Sequence, residues 1–211
     1  MVQTDGIIFD MDGTIWDTCA QVTHSWNEIL EQIELPFRFT SEQIQSCMGL
    51  LMEDFAAKLM PDLDPDFRLN VLKQCCNYEN EYIASVGGTL YPKLVETLEA
   101  LSCRYPLFIV SNCQAGYIEA FFEAHHTGKF FKDYENPGRS GFAKARNIQL
   151  IAERNHLKHP VYVGDTIGDY NACQEAGVPF VFAAYGFGEV PEKKCVAIAE
   201  KFEDLVHIFD D

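Results

Sequence analysis

The stretch Gly6-Ile7-Ile8-Phe9-Asp10-Met11-Asp12-Gly13-Thr14-Ile15 decides how this chain is read. Gly6 to Phe9 are small or apolar without alternation, the pattern of a strand covered on both faces in a parallel sheet. Two carboxylates follow at once, with Gly13 after them to turn the chain. Acids carried to the end of a buried strand lose water and repel each other unless a cation or hydrogen bonds compensate. In an open parallel sheet that edge is where ligands bind. The stretch therefore predicts a metal and phosphate site centred on Asp10.

Outward from this strand, residues 17–86 carry only helical spacing. Val22, Trp26, Ile29, Leu30 and Ile33 share one face. Shorter helices are expected at Ser41–Cys47 and Leu50–Leu59, and a longer one from Asp66 to Val86, ended by Gly87-Gly88. From Tyr91 onward strands and helices alternate. Pro92 is expected at the first position of a helix. Leu107–Val110, Phe130-Phe131, Pro160–Val163, Phe180–Phe182 and Val196–Ala199 read as strands, and Asn136–Gly141 as a loop. The expected fold is α/β: a three-layer, doubly wound, Rossmann-like parallel sheet with an inserted all-helical cap. Residues 1–16 and 87–211 form the core and residues 17–86 the cap, with linkers near Trp16 and Gly87 as candidate hinges.

The 211 residues suffice for one core with a smaller insertion. A formal charge of −16 argues against nucleic acid and anionic membrane surfaces as partners. The eight cysteines are scattered without a C-x-x-C pair, which fits thiols in a reducing compartment, most of them buried. No signal peptide or membrane span is visible, so a cytoplasmic protein is expected, monomeric or weakly dimeric.

The strand ends collect polar residues. Strand one brings Asp10 and Asp12, strand two Ser111 and Asn112, and the 160–163 strand Asp165, with Asp169 four residues on. Lys144 opens the helix after the third strand; Lys129, Lys132 and Lys158 sit at less suitable places. Mg²⁺ favours one or two carboxylates together with water and phosphate oxygens, which suits Asp10 and Asp165. A carboxylate can attack phosphorus, and a second can move the proton, roles that fall on Asp10 and Asp12. Thr14, Ser111, Asn112 and Lys144 are the candidate phosphate donors.

Asp10-Met11-Asp12-Gly13-Thr14, Ser111, Lys144 and Gly164-Asp165-Thr166-Ile167-Gly168-Asp169 resemble, in order and spacing, the four signature motifs of the haloacid dehalogenase-like hydrolase superfamily. The similarity is greatest to its phosphoglycolate phosphatase-like phosphatases. It implies Asp10 as nucleophile, Asp12 as acid/base, and Mg²⁺ on Asp10, the Met11 carbonyl and Asp165. Asp12 and Asp169 complete the candidate metal set, Asp169 as an outer-shell or alternative ligand. The implied activity is an Mg²⁺-dependent phosphomonoester phosphatase acting on a small phosphorylated metabolite through an aspartyl phosphate, with cap residues Met48 to Met52 and Phe55 near the leaving group. Asp12 speaks against a dehalogenase. Two rival readings are a sugar-phosphate mutase, disfavoured because Val22 falls where that pattern has a histidine, and a non-enzymatic phospho-acceptor domain.

Overall fold

A computed structural model describes residues 2–210. Its sheet is built from β1 (Gly6–Phe9), β4 (Leu107–Val110), β5 (Phe131–Glu135), β6 (Pro160–Gly164), β7 (Phe180–Ala183) and β8 (Ala197–Ala199). The order is β5-β4-β1-β6-β7-β8, and every neighbouring pair is parallel. β1 is central, with Ile8 opposite Phe108 on one side and Tyr162 on the other. The chain runs from β1 outward through β4 to β5, then crosses back to β6 and continues to β8. The order thus reverses beside β1, which opens a crevice at the strand ends.

The apolar runs are continuous because both faces are covered. Ile7, Phe9, Leu107, Ile109, Val161 and Val163 face α5 (Leu94–Ser102), α6 (Tyr117–His125) and α10 (Leu205–Ile208). The alternate residues Ile8, Phe108, Val110 and Tyr162 face α8 (Lys144–Arg154) and α9 (Ile167–Ala176) through Ile148, Ile151 and Cys173. Each large side chain so buried contributes about 1.5–3 kcal/mol.

Between β1 and β4 the chain forms α1 (Cys19–Gln32), α2 (Ser41–Gln45), α3 (Met52–Leu59) and α4 (Pro65–Val86). α2 starts on a capping box between Thr40 and Gln43, and α4 on Asp64 with Pro65 in its first turn. The two expected linkers are paired: β2 (Trp16–Asp17) and β3 (Thr89–Leu90) form an antiparallel ribbon. Trp16 is fully buried against Tyr117, Phe121 and His125, so the outgoing strand is anchored.

Two other local expectations change. Asn136–Gly141 is not a loop, because the Asn136 side chain accepts from Arg139 N–H and starts the short helix α7 (Pro137–Ser140). Pro92 lies before α5 rather than in it, since Lys93 at the cap adopts a left-handed conformation. No helix among the described residues is long and apolar enough to cross a membrane.

Candidate active site

The ends of β1, β4 and β6 converge as the parallel sheet requires. Asp10 follows β1 directly, and its N–H donates to the Val163 carbonyl at 2.9 Å. Asp10, Asp165 and Asp169 are all buried, with carboxylate oxygens within 4.8 Å of one another. Lys144, also buried, lies between two of them: its Nζ is 2.9 Å from Asp10 Oδ1 and 2.6 Å from Asp169 Oδ1. Lys144 gets there as the first residue of α8, close to the strand ends.

The three carboxylates differ in what they still offer. Asp169 Oδ2 accepts from both Thr166 N–H and Thr166 Oγ1, at 2.9 and 2.7 Å, a capping box at the start of α9. With Oδ1 on Lys144, Asp169 has little capacity left, which suits it to orient Lys144. Asp165 takes one hydrogen bond per oxygen, from Thr14 Oγ1 at 3.1 Å and Phe187 N–H at 2.8 Å. Asp10 Oδ2 takes none among the described residues.

Close backbone approach makes this possible. Gly13 has φ +82°, and a Cβ there would stand 2.2 Å from Asp165 Oδ2. A Cβ on Gly186 would stand 2.3 Å from that of Asp165.

Burial, then the charge of Asp169, pushes the Asp10 carboxyl up to about 7 despite Lys144. Burial, Asp169 and Asp10 hold Asp165 well above the carboxylate range. Burial opposes the Lys144 ammonium, but Asp10 and Asp169 outweigh it and keep it protonated. Three acids thus face one ammonium. The deficit, the all-oxygen donor set, the open oxygen of Asp10 and the remaining lone pairs of Asp165 fit a hard divalent cation such as Mg²⁺.

Asp12 stands apart from that cluster. Its Oδ1 accepts from Thr18 Oγ1 at 2.8 Å and from Tyr117 OH at 2.7 Å. Burial raises its pKa against these bonds. Its side chain is therefore not placed as a metal ligand but lines a cavity with Asp10, Ser111 and Asn112. The Met11 carbonyl is also misplaced for a metal, since it accepts from the N–H groups of Thr14, Ile15 and Trp16 within the turn. The Asp12 carbonyl accepts none of these turn bonds. Thr14 does not face a phosphate: it is fully buried and donates to Asp165. Asn112 Nδ2 is committed to the Gly49 carbonyl at 2.9 Å, a bridge to the helical segment. Ser111 remains on the cavity wall, and the N–H groups of Met11 and Asp12 have no acceptor among the described residues.

The sequence reading missed Thr18 and Tyr117, the partners of Asp12, and Glu79 of α4, which lines the same cavity. Thr18 follows the motif closely enough to be suspected; Tyr117 and Glu79 carry no local signal. The cavity holds only about 30 Å³, little more than one water.

The profile of the haloacid dehalogenase-like hydrolases matches residues 7–183. The chain belongs to that family. It is an enzyme of the hydrolase class, similar along most of its length to phosphatases. The phosphoglycolate phosphatase of Shigella boydii is 26% identical over 211 aligned positions, covering 86% of this chain and 82% of that protein. That of Caulobacter vibrioides is 27% identical over 196 positions, covering 88% and 81%. Among solved structures, a "predicted phosphoglycolate phosphatase" of Haemophilus somnus superposes with a TM-score of 0.87 at 24% identity, over 100% of both chains. CbbY of Rhodobacter sphaeroides, in complex with xylulose-(1,5)-bisphosphate, gives 0.81 at 14% identity over 96% of each. These superpositions bear on the fold, a parallel sheet with helices on both faces as the sequence reading expected.

Proposed function

We propose that this hydrolase is a phosphomonoester phosphatase for a small phosphorylated metabolite, acting through an aspartyl phosphate on Asp10. One observation carries the reading. Asp10 has a free oxygen in a buried cluster of acids and Lys144, while Asp12 has its own hydroxyl partners on the same cavity.

Asp10 Oδ2 attacks phosphorus as the bond from phosphorus to the leaving oxygen breaks. Asp12 hands its proton to that oxygen, a task its raised pKa favours. In the second half Asp12 takes a proton from water, the water oxygen attacks phosphorus, and phosphate leaves with Asp10 regenerated as a carboxylate. Lys144, Ser111 and the Met11 and Asp12 N–H groups are the donors toward the phosphoryl oxygens. Asp10, Asp165 and the Asp12 carbonyl would hold Mg²⁺, which supplies charge neutralisation of the phosphoryl group. Asp169 orients Lys144, and Thr14 orients Asp165. Tyr117 and Thr18 hold Asp12 in place.

Residues 17–86 are read as a cap over this core, meeting it along the small cavity; a substrate enters when the cap lifts. At the position where the mutase pattern has a histidine, Val22 lines the cavity, and His24 is at the surface beside Glu28. The test is phosphate release from p-nitrophenyl phosphate with and without Mg²⁺. Release that needs Mg²⁺ and is lost in Asp10→Asn is expected. No release from any phosphomonoester overturns the reading.

A further inference from the structure

The cap side of the cavity is lined by Val22, Trp26, Met48, Leu50, Met52 and Phe55. Glu79 is the one charged side chain this segment adds to it. It is only 4% exposed and firmly held. Its Oε2 accepts from Trp26 Nε1, and its Oε1 from Gln114 Nε2 at 3.1 Å. A second cavity continues past Met52, Asn112, Cys113 and Gln114, and its charged side chains are Glu53 and Asp54. Across both, every charged side chain is an acid, and no Lys, Arg or His lines either. Lys144 is committed to Asp10 and Asp169, at the phosphoryl end.

A carboxylate on the leaving group would therefore be desolvated beside Glu79 with no cation to receive it. An ammonium group would meet the opposite field, together with the aromatic rings of Trp26 and Phe55. We infer that the cap pocket selects phosphate monoesters by the charge of the leaving group, preferring an amino alcohol phosphate to a neutral alcohol phosphate and either to a carboxylate-bearing one, with Glu79 as the specificity-determining residue. This rests on the phosphatase reading and narrows it. It also separates this chain from phosphoglycolate, the compound in its relatives' names, which carries such a carboxylate.

The test compares kcat/KM for three esters of matched length: 2-aminoethyl phosphate, 2-hydroxyethyl phosphate and 2-phosphoglycolate, with p-nitrophenyl phosphate alongside. The assay contains Mg²⁺ and is run at pH 8, because burial pushes Glu79 up to about 7 and the carboxylate should be ionised. The expected fall is roughly tenfold per unit of added negative charge. Glu79→Gln should narrow the spread between the aminoethyl and glycolate esters by about tenfold. Phosphoglycolate turned over as well as or better than the hydroxyethyl ester overturns the inference, as does an unchanged spread in Glu79→Gln. The wild-type series decides alone if the variant does not fold. Release from p-nitrophenyl phosphate with a flat or reversed series defeats only the charge selection. No release from any of the esters defeats the phosphatase reading itself.

Discussion

Stripped of divalent cations, the enzyme should lose stability as the pH rises, contrary to the usual behaviour of carboxylates. Asp10 moves from its ordinary 3.8 to about 7, chiefly through burial and then through Asp169. Glu79 moves from 4.5 to about 7, again chiefly through burial. In each case the folded state holds a proton that the unfolded chain has already released. Stability is therefore highest below the unfolded pKa and falls until the pH passes the folded one. For Asp10 the gap corresponds to about 4 kcal/mol, of which about 3 kcal/mol lies between pH 5 and 8. Glu79 adds a fall of about 3 kcal/mol over its own window. The surface acids with lowered pKa values, exposed Glu42 and Glu153 and half-buried Glu203 and Asp210, act below pH 4.5. His125 opposes the trend only near its ordinary 6.5, since burial lowers its pKa. Mg²⁺ binds ionised carboxylates, so its stabilisation should grow with pH and flatten the slope. Urea unfolding at pH 5, 6, 7 and 8, in EDTA and in Mg²⁺, measures this, with Asp10→Asn removing the Asp10 share. A cation-free stability that is flat or rises from pH 5 to 8, or no effect of Mg²⁺ at pH 8, would refute the reasoning.

Lys144→Met leaves Asp10 and Asp169 buried without their cation. Urea unfolding should show a loss of about 3–5 kcal/mol in the metal-free protein, smaller at pH 6 than at pH 8, because without the ammonium that lowers its pKa Asp10 relieves the loss by holding a proton more readily at the lower pH. Asp12→Asn should slow turnover of an aryl phosphate by about 10²–10⁴-fold, and intact mass should show the enzyme carrying one phosphoryl group. Gly13→Ala brings a Cβ to 2.2 Å from Asp165 Oδ2 at φ +82°, so calorimetric titration should find weakened Mg²⁺ binding alongside a stability loss of about 1–3 kcal/mol.

Much of this arrangement was legible because parallel sheets are simple to read. β1, β4, β6 and β7 are uninterrupted apolar runs, and the strand-end rule then draws Asp10, Ser111 and Asp165 to one edge and favours Lys144 over the other lysines. What escaped has physical causes. The β2–β3 ribbon has two residues per strand, too few for any periodicity. Asn136 and Pro137 are turn formers that serve equally as cap and first residue of α7. Thr166 caps α9, which starts at Ile167 and so carries Asp169 in its first turn, a placement that the Gly-Asp turn residues around it do not announce. Which carbonyl of the D-x-D turn is free to face a metal depends on backbone direction, which side-chain identity does not reveal. Tyr117 reaches Asp12 from 105 positions away, and a hydroxyl carries no pattern. Glu79 looks like any solvated acid on a long helix until Trp26 and Gln114 close around it.

Those last contacts link specificity to motion. The cavity of about 30 Å³ at Asp10 and Asp12 is too small for a phosphorylated metabolite, while the roomier cavity beside it shares Met52, Asn112, Cys113 and Gln114 with it, so the proposed cap would have to shift at that join to admit one. Beyond Thr18, which bonds Asp12 and Tyr117 beside the ribbon, the polar contacts that hold it meet the loop after β4: Asn112 to the Gly49 carbonyl, Asn80 to the Ala115 carbonyl, and Gln114 to both Glu79 and Asn80. The neutral hydrogen bonds among these contribute about 0.5–1.5 kcal/mol each and the one to Glu79, once ionised, about 1.5–3 kcal/mol, since water replaces them on opening. They set where the cap sits without locking it there. The same loop carries Ser111, the proposed phosphoryl donor, so the position of the proposed cap and the phosphate contact would be joined mechanically. The outgoing and returning chains are hydrogen-bonded to each other as β2 and β3, which confines the movement to one paired ribbon. Glu79 is closed in by Trp26 of its own segment and by Gln114 of the core. Lifting the proposed cap would break the Gln114 contact and admit water to the carboxylate, moving its pKa back toward 4.5. Rising pH should therefore favour the open form, and a substrate that neutralises Glu79 should favour closure. The residue inferred to choose the leaving group is thus also placed to report that the right one has arrived.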